Sequence, residues 1–152
     1  MLTVRDGRAA DLSEVITLLE RMGLSGEGVA QRVDDFLVAR EHGHLVAVAA
    51  LEGHGTTGLL RSVAVTPACQ NRGLARYLTS ALIERAKERQ LSAIYLLTTD
   101  AQRYFERHGF RPIDRDEVRP AIADSPQFKA ESCATATVMM LDLTKQSAPQ
   151  ED

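Results

Sequence analysis

The run LLRSVAV, residues 59–65, constrains this chain more than any other feature. It is apolar on both faces apart from Arg61 and Ser62, the pattern of a strand buried at the centre of a sheet. The run ends at Thr66-Pro67, and a short loop leads through Gln70-Asn71-Arg72-Gly73-Leu74-Ala75 into the longest helical pattern of the chain, residues 73–89. Leu74, Leu78, Leu82 and Ala86 form the buried stripe of that helix, while Glu84, Arg85, Lys87 and Glu88 face water.

The flanking pattern supplies the other elements. Residues 2–5 read as a first strand. Leu12, Val15, Ile16, Leu19 and Met22 follow helical spacing, with Asp11 and Glu14 as a capping box in which Asp takes the Ser/Thr role. Gly23, Gly26 and Gly28 end that helix, and residues 29–33 read as a short helical piece. Residues 36–40 and 45–51 form a hairpin around His42-Gly43, and residues 53–58 a flexible turn. Beyond the long helix come a strand at 93–97, then a helix at 101–108 capped by Thr99 or Asp100. Gly109-Phe110 reads as its glycine stop. Strands at 111–113 and 136–143 bracket an irregular or briefly helical stretch. Residues 146–152 read as a polar tail. No repeat or linker divides residues 1–145, which read as one domain.

Composition narrows the function by exclusion. A formal net charge of -3 and the absence of Trp give no basic or stacking surface for nucleic acid. No stretch of about 18 apolar residues could span a membrane, and no signal peptide is evident, so a cytoplasmic location is expected. Cys69 and Cys133 form neither a disulfide framework nor a zinc spacing, and the four histidines are scattered, so no metal is expected.

The loop before the long helix is where chemistry is expected. Gly73 and Ala75 are small, which allows a ligand close to the backbone. The first amides of a helix lack internal partners, and its dipole adds positive potential. A phosphate or diphosphate fits such a place, and Arg72 and Arg76 would add charge. The physics alone leaves a second reading open, an ordinary tight strand–loop–helix turn. Neither GxxxxGK[ST] nor GxGxxG is present, so nucleoside-triphosphate and dinucleotide loops are unsupported.

The QNRGLA run resembles the Q/R-x-x-G-x-G/A motif of GNAT acetyltransferases, and it follows a V-x-P strand end, Val65-Thr66-Pro67, as in that family. A second hallmark is Leu96-Leu97-Thr98-Thr99, then a helix and Gly109-Phe110. The resemblance covers nearly the whole chain in order. It implies an α/β (α+β) fold with a mixed, mostly antiparallel sheet of six to seven strands and about four helices. It also implies acetyl-CoA as co-substrate and a small-molecule amine as acceptor, with room for a homodimer. By the same resemblance, Gln70, Asn71, Arg72, Gly73, Leu74, Ala75 and Arg76 hold the CoA diphosphate. A bulge in the strand then aims the backbone N–H of Val63 at the thioester carbonyl, and Ala64 and Val65 line the pantetheine arm. The segments LLRSVAV, YLLTTDAQRYFERHGF, Arg115 and SPQFKAESC are similar to the second type of acetyltransferase from bacterial arsenic-resistance operons. The LTT…F…GF stretch is also similar to the acetyltransferase domain of N-acetylglutamate synthase. Both point to an amino-acid-like acceptor, and the first to an arsenic-bearing glutamate analogue.

Side-chain roles follow less directly. Many family members carry Y-x-x-x-G-F, with Tyr protonating the leaving thiolate; here that position is Phe105, and Tyr104 lies one residue earlier, about 100° round the helix. A thiol of pKa about 8.5 leaves tolerably without a dedicated acid. Arg61, the only charge in the apolar run, either anchors an anionic group of the acceptor or makes a structural ion pair. Arg115 is the second anchor candidate. Thr98 and Thr99 reach the acceptor or cap the next helix. Glu52 is either a base or a solvated strand-end carboxylate. Cys69 reads as a small loop hydrophobe. A non-catalytic acyl-CoA sensor is the competing function, with Phe105 its best support.

Overall fold

In a computed structural model, residues 1–125, 128–129 and 135–144 are described. Seven strands and five α-helices occur among them. Their contacts fall into two units, the first made of residues 1–52 and 61–82, the second of residues 53–60 and those from 83 onward.

The first unit joins β1 (Leu2–Asp6), β2 (Phe36–Glu41), β3 (His44–His54) and the later half of β4 (Thr57–Val65), in that order. β1 and β2 are antiparallel, with Val4 opposite Ala39, and β2 and β3 are antiparallel with an irregularity at Ala39/Arg40. Its core gathers Val15, Leu18 and Leu19 of α1 (Leu12–Arg21), Val29 of α2 (Val29–Arg32), and Phe36, Val38, Val48, Ala50 and Ala64 of the strands. The apolar spacing of α1 thus buries the stripe that its sequence predicts.

Asp11 does not cap α1. Its backbone is already helical and its side chain makes no cap hydrogen bond there. The buried carboxylate instead accepts from Arg5 at 2.8 and 2.9 Å, from Arg40 at 2.7 Å and from the Arg8 amide at 2.8 Å. Glu14, the expected box partner, also pairs with Arg40. Two guanidiniums outbid one backbone amide for a buried carboxylate, because charge-assisted hydrogen bonds are about twice as strong as neutral ones.

The second unit orders β4, β5 (Ala93–Thr98), β7 (Thr137–Asp142) and β6 (Arg111–Ile113). The start of β4 runs parallel to β5, with Gly58 opposite Ile94; β5 and β7, and β7 and β6, are antiparallel. Parallel neighbours need a crossover, and α3 (Leu74–Glu88) lies in the connection between them. Leu59, Ala93, Tyr95, Val118, Ile122, Phe128 and Val138 form this unit's core, closed in part by α5 (Pro120–Ala123).

Several expected boundaries move. The turn expected over residues 53–58 shrinks to Gly55-Thr56, because β3 continues to His54 and β4 begins at Thr57, whose hydroxyl donates to the His54 carbonyl at 3.0 Å. Neither Thr99 nor Asp100 caps α4 (Gln102–Glu106): its N-cap is Ala101, which makes no side-chain cap hydrogen bond and whose amide donates to Thr98 Oγ1 at 3.0 Å. Gly109 takes φ 99°, as its reading as a glycine stop requires. The polar tail, Cys133 and most of the SPQFKAESC segment lie outside the described residues. Among the described residues no helix is long and apolar enough to cross a membrane.

Candidate active site

The loop at the start of α3 belongs wholly to the first unit. After Val65 the chain makes a 3-10 turn at Pro67–Cys69. Gln70 is extended, and its side-chain amide reaches back to the Val65 carbonyl at 3.1 Å, tying the loop to the strand end. Asn71 and Gly73 both take left-handed backbone, φ 66° and 83°. Asn is among the few non-glycine residues that tolerate this, and Gly adopts it freely. The two reversals bring the chain into α3, where the Tyr77 amide closes the first turn on the Gly73 carbonyl at 2.9 Å. The amides before Tyr77 have no intrahelical acceptor. A methyl placed at Gly73 would meet no protein atom within 4 Å, so the loop opens onto a space that a ligand can occupy.

The loop's charges divide. Arg76 is exposed. Arg72 instead pairs with Glu41, at 2.8 and 3.2 Å, and donates to the Cys69 sulfur at 3.5 Å. The Arg72 guanidinium holds the Glu41 carboxyl below its ordinary range. Cys69 is buried, as a loop hydrophobe should be. Leu74 is buried and Ala75 half-buried, so these two shape the loop from beneath while Asn71, Arg72 and Gly73 are exposed.

Strand β4 carries the second feature. Ser62 adopts φ 60°, and among the described residues it is the only non-glycine residue inside a strand to do so; His42, Asn71 and Gln90 lie in turns or loops. The strand is therefore kinked one residue before Val63. Every residue of β4 is buried except Val63, which is half-buried, while Ala64 and Val65 pack inward. The kink and the exposure of Val63 suit a backbone donor facing a ligand.

Arg61 and Glu52 form a buried ion pair, Nη1 to Oε2 at 2.7 Å, with side chains 3% and 1% exposed. Arg61 Nη2 also lies 3.5 Å from the Glu27 carbonyl, and Arg32 Nε stands 3.7 Å from the other Glu52 oxygen and 3.0 Å from Asp35. Of the two roles expected for Arg61, the ion pair is what the geometry supplies. Glu52 is not a solvated strand-end carboxylate. β3 continues past it to His54 and buries it.

The remaining candidates sit in the second unit. Thr98 is half-buried and its Oγ1 accepts from the Ala101 amide just before α4, and Thr99 is exposed. Arg115 donates to the Ala136 carbonyl at 2.8 Å. Phe105 is buried and packs edge-on against Phe110, and Tyr104 packs edge-on against Phe105 and His108. Among the described residues no group of three or more His, Cys, Asp or Glu could hold a metal ion. Sequence reasoning missed Glu41 as the partner of Arg72 and Arg32 beside Glu52. Both partners are distant in sequence, so nothing local marked either pairing.

Comparison with known proteins identifies the family and the fold. The model of the Acetyltransferase (GNAT) family matches residues 16–110. An amino-acid acetyltransferase of Pseudomonas putida is 28% identical over 127 residues, 80% of this chain and 29% of its own. N-acetylglutamate synthase from Neisseria gonorrhoeae, complexed with coenzyme A and N-acetyl-glutamate, superposes with a TM-score of 0.81 at 20% identity over 94% of this chain and 35% of its own. A Mycobacterium tuberculosis protein solved in complex with CoA superposes at TM-score 0.79 and 24% identity, over 93% of this chain and 99% of its own. This chain thus spans about a third of the first two.

Proposed function

The chain belongs to the Acetyltransferase (GNAT) family, and from that premise we propose that it transfers an acetyl group from acetyl-CoA to the amine of a small amino-acid-like acceptor. The observation that carries this is the paired left-handed turn at Asn71 and Gly73, open to a ligand at the start of α3 and preceded by the kinked strand at Ser62-Val63. We read residues 1–145 as one acetyltransferase domain, since the family match runs through both units.

Acetyl-CoA supplies an activated thioester. The protein's part is to hold it and to stabilise the charge that forms as an amine attacks. The amides of residues 73–76, with Arg76, take the diphosphate. The Val63 amide donates to the carbonyl oxygen as it becomes an oxyanion, a contribution of about 3 kcal/mol. Fixing both partners adds on the order of 7 kcal/mol. Phe105 stands in place of the usual acid, so the proton that the attacking amine sheds passes to water, and the thiolate leaves unprotonated or takes that proton back through water.

On the acceptor side, Arg61, Thr98, Thr99 and Arg115 are the candidates. Arg61 acts there only if it can serve an anion while paired with Glu52. The finer reading, an arsenic-bearing glutamate analogue as acceptor, rests on the likeness of LLRSVAV, YLLTTDAQRYFERHGF and Arg115 to arsenic-resistance acetyltransferases. The amino-acid acetyltransferase similarity supports the coarser statement. A second reading, an acyl-CoA sensor without turnover, is favoured only by Phe105.

The test is thiol release from acetyl-CoA against an amine panel of glutamate, arsinothricin, phosphinothricin and other amino acids. Turnover with one amino-acid-like acceptor is expected. Tight acetyl-CoA binding with no turnover on any amine would replace catalysis with sensing.

A further inference from the structure

We infer that the buried Glu52–Arg61 pair is a positioning device that holds the kink at Ser62 and thereby aims the Val63 amide. This rests on the role given above to Val63.

A non-glycine residue in left-handed backbone is unfavourable, and it persists only where the surroundings over-determine it. The other three such residues lie in turns or loops, where the chain has to reverse. Ser62 has no such reason, because it lies within a nine-residue strand. Something must hold it there.

The chain is pinned on both sides of Ser62. After it, Ala64 and Val65 are buried in the core, and the Thr66 amide donates to the Val46 carbonyl at 2.9 Å. Before it, Arg61 is held through its side chain: Nη1 on Glu52 at 2.7 Å and Nη2 toward the Glu27 carbonyl at 3.5 Å. The planar guanidinium fork fixes position and orientation together, as an apolar side chain would not. Glu52 is itself steadied by Arg32 at 3.7 Å. Relaxing Ser62 into ordinary strand backbone would require one of these two anchors to move.

Energetics favour a positioning role over a stabilising one. Removing two charges from water offsets most of what their attraction returns, so a buried ion pair is often replaceable by apolar residues without loss of stability. A pair 3% and 1% exposed beside a strained residue is better explained by the conformation it selects.

The decisive variant is Glu52→Leu with Arg61→Met, which removes both charges and leaves neither unpaired. Single changes such as Glu52→Gln strand a buried guanidinium and risk unfolding, so they serve only as a comparison. The backbone at Ser62 is read from its Cα and Cβ chemical shifts in isotope-labelled protein. Activity is read as kcat for thiol release, and acetyl-CoA affinity by calorimetry. The double variant is expected to fold, to bind acetyl-CoA within about threefold of the parent, to show strand-like shifts at Ser62, and to lose about a hundredfold in kcat, the cost of one misplaced oxyanion donor. Adding Ser62→Gly, which carries no penalty for left-handed backbone, is expected to recover a large part of that kcat. Unchanged Ser62 shifts in the double variant would overturn the inference, whatever happens to kcat; if acceptor KM rose alone, Arg61 would be touching the acceptor instead. If the parent protein itself turned over no amine, the function above would fail, and the Ser62 shifts would still judge the role of the pair.

Discussion

Replacing Gly73 by Ala separates two costs that the loop geometry predicts. The first is conformational. Gly73 sits at φ 83°, and an L-residue there costs about 1–2 kcal/mol. For a chain of this length that lowers Tm by about 2–8 °C, at about 2–4 °C per kcal/mol. The second cost appears only with ligand. The new methyl meets no protein atom within 4 Å, so it projects into the space assigned to the diphosphate. The Kd for acetyl-CoA should rise at least tenfold, about 1.4 kcal/mol, measured by calorimetry on folded protein. Gly73→Asn serves as control. Asn tolerates left-handed backbone better than Ala, so most of the Tm loss should vanish while the affinity loss remains. A lowered Tm in Gly73→Ala with Kd within twofold of the parent would refute the placement of the diphosphate here.

Other consequences can be measured directly. Glu41→Gln frees Arg72 from its carboxylate partner and should tighten acetyl-CoA binding, by no more than about fivefold given how exposed the pair is; weakened binding would mean that Glu41 instead presents Arg72 to the phosphates. Tyr104→Phe should keep kcat within about tenfold, because the ring is packed against Phe105 and His108, and a thousandfold loss with an intact fold would identify it as the missing acid. Arg5, Arg40 and the Arg8 amide hold the Asp11 carboxyl well below its ordinary range. Its stabilisation is therefore fully present above the unfolded value near pH 4 and is lost as pH falls below it, on the order of 2–3 kcal/mol. Asp11→Asn should lower Tm at pH 7 and differ progressively less from the parent below pH 4; a constant Tm gap down to pH 2 would remove Asp11 from the acid response.

The strand–loop–helix at residues 57–88 was legible because each of its features is local. An apolar run specifies a buried strand wherever it is placed, and a helical stripe shows in its own spacing. Gly73 announces a backbone that other residues resist, and Asn71 permits one that few others do. These signals need no knowledge of the rest of the chain. The same holds for Gly109 at the end of α4. Thr99 and Asp100 do not cap α4, because the helix starts one residue later than its apolar pattern suggests and its N-cap falls on Ala101, whose methyl cannot accept a hydrogen bond.

What the local sequence did not display has a different cause. Asp11 carries a correct local capping pattern, yet its carboxylate goes to Arg5 and to Arg40, 29 residues away in sequence. Arg72 is read as a charge for the phosphate, and nothing local shows that the fold also gives it Glu41, 31 residues earlier, as a partner. Glu52 looks solvated because glycine follows it, yet the ladder runs two residues further and buries it against Arg61. In each case a charge that seemed available was claimed by a partner that only the fold brings near. The kink at Ser62 was legible only through the family resemblance, which implies a bulge in this strand, since serine has no special liking for left-handed backbone and nothing local asks for it there. A strained residue beside a buried charge pair marks where tertiary structure overrides local preference, and functional sites are where such overrides are expected to persist. On that ground the 61–63 segment carries more information about mechanism than the glycine loop, although the loop is the part the sequence displays.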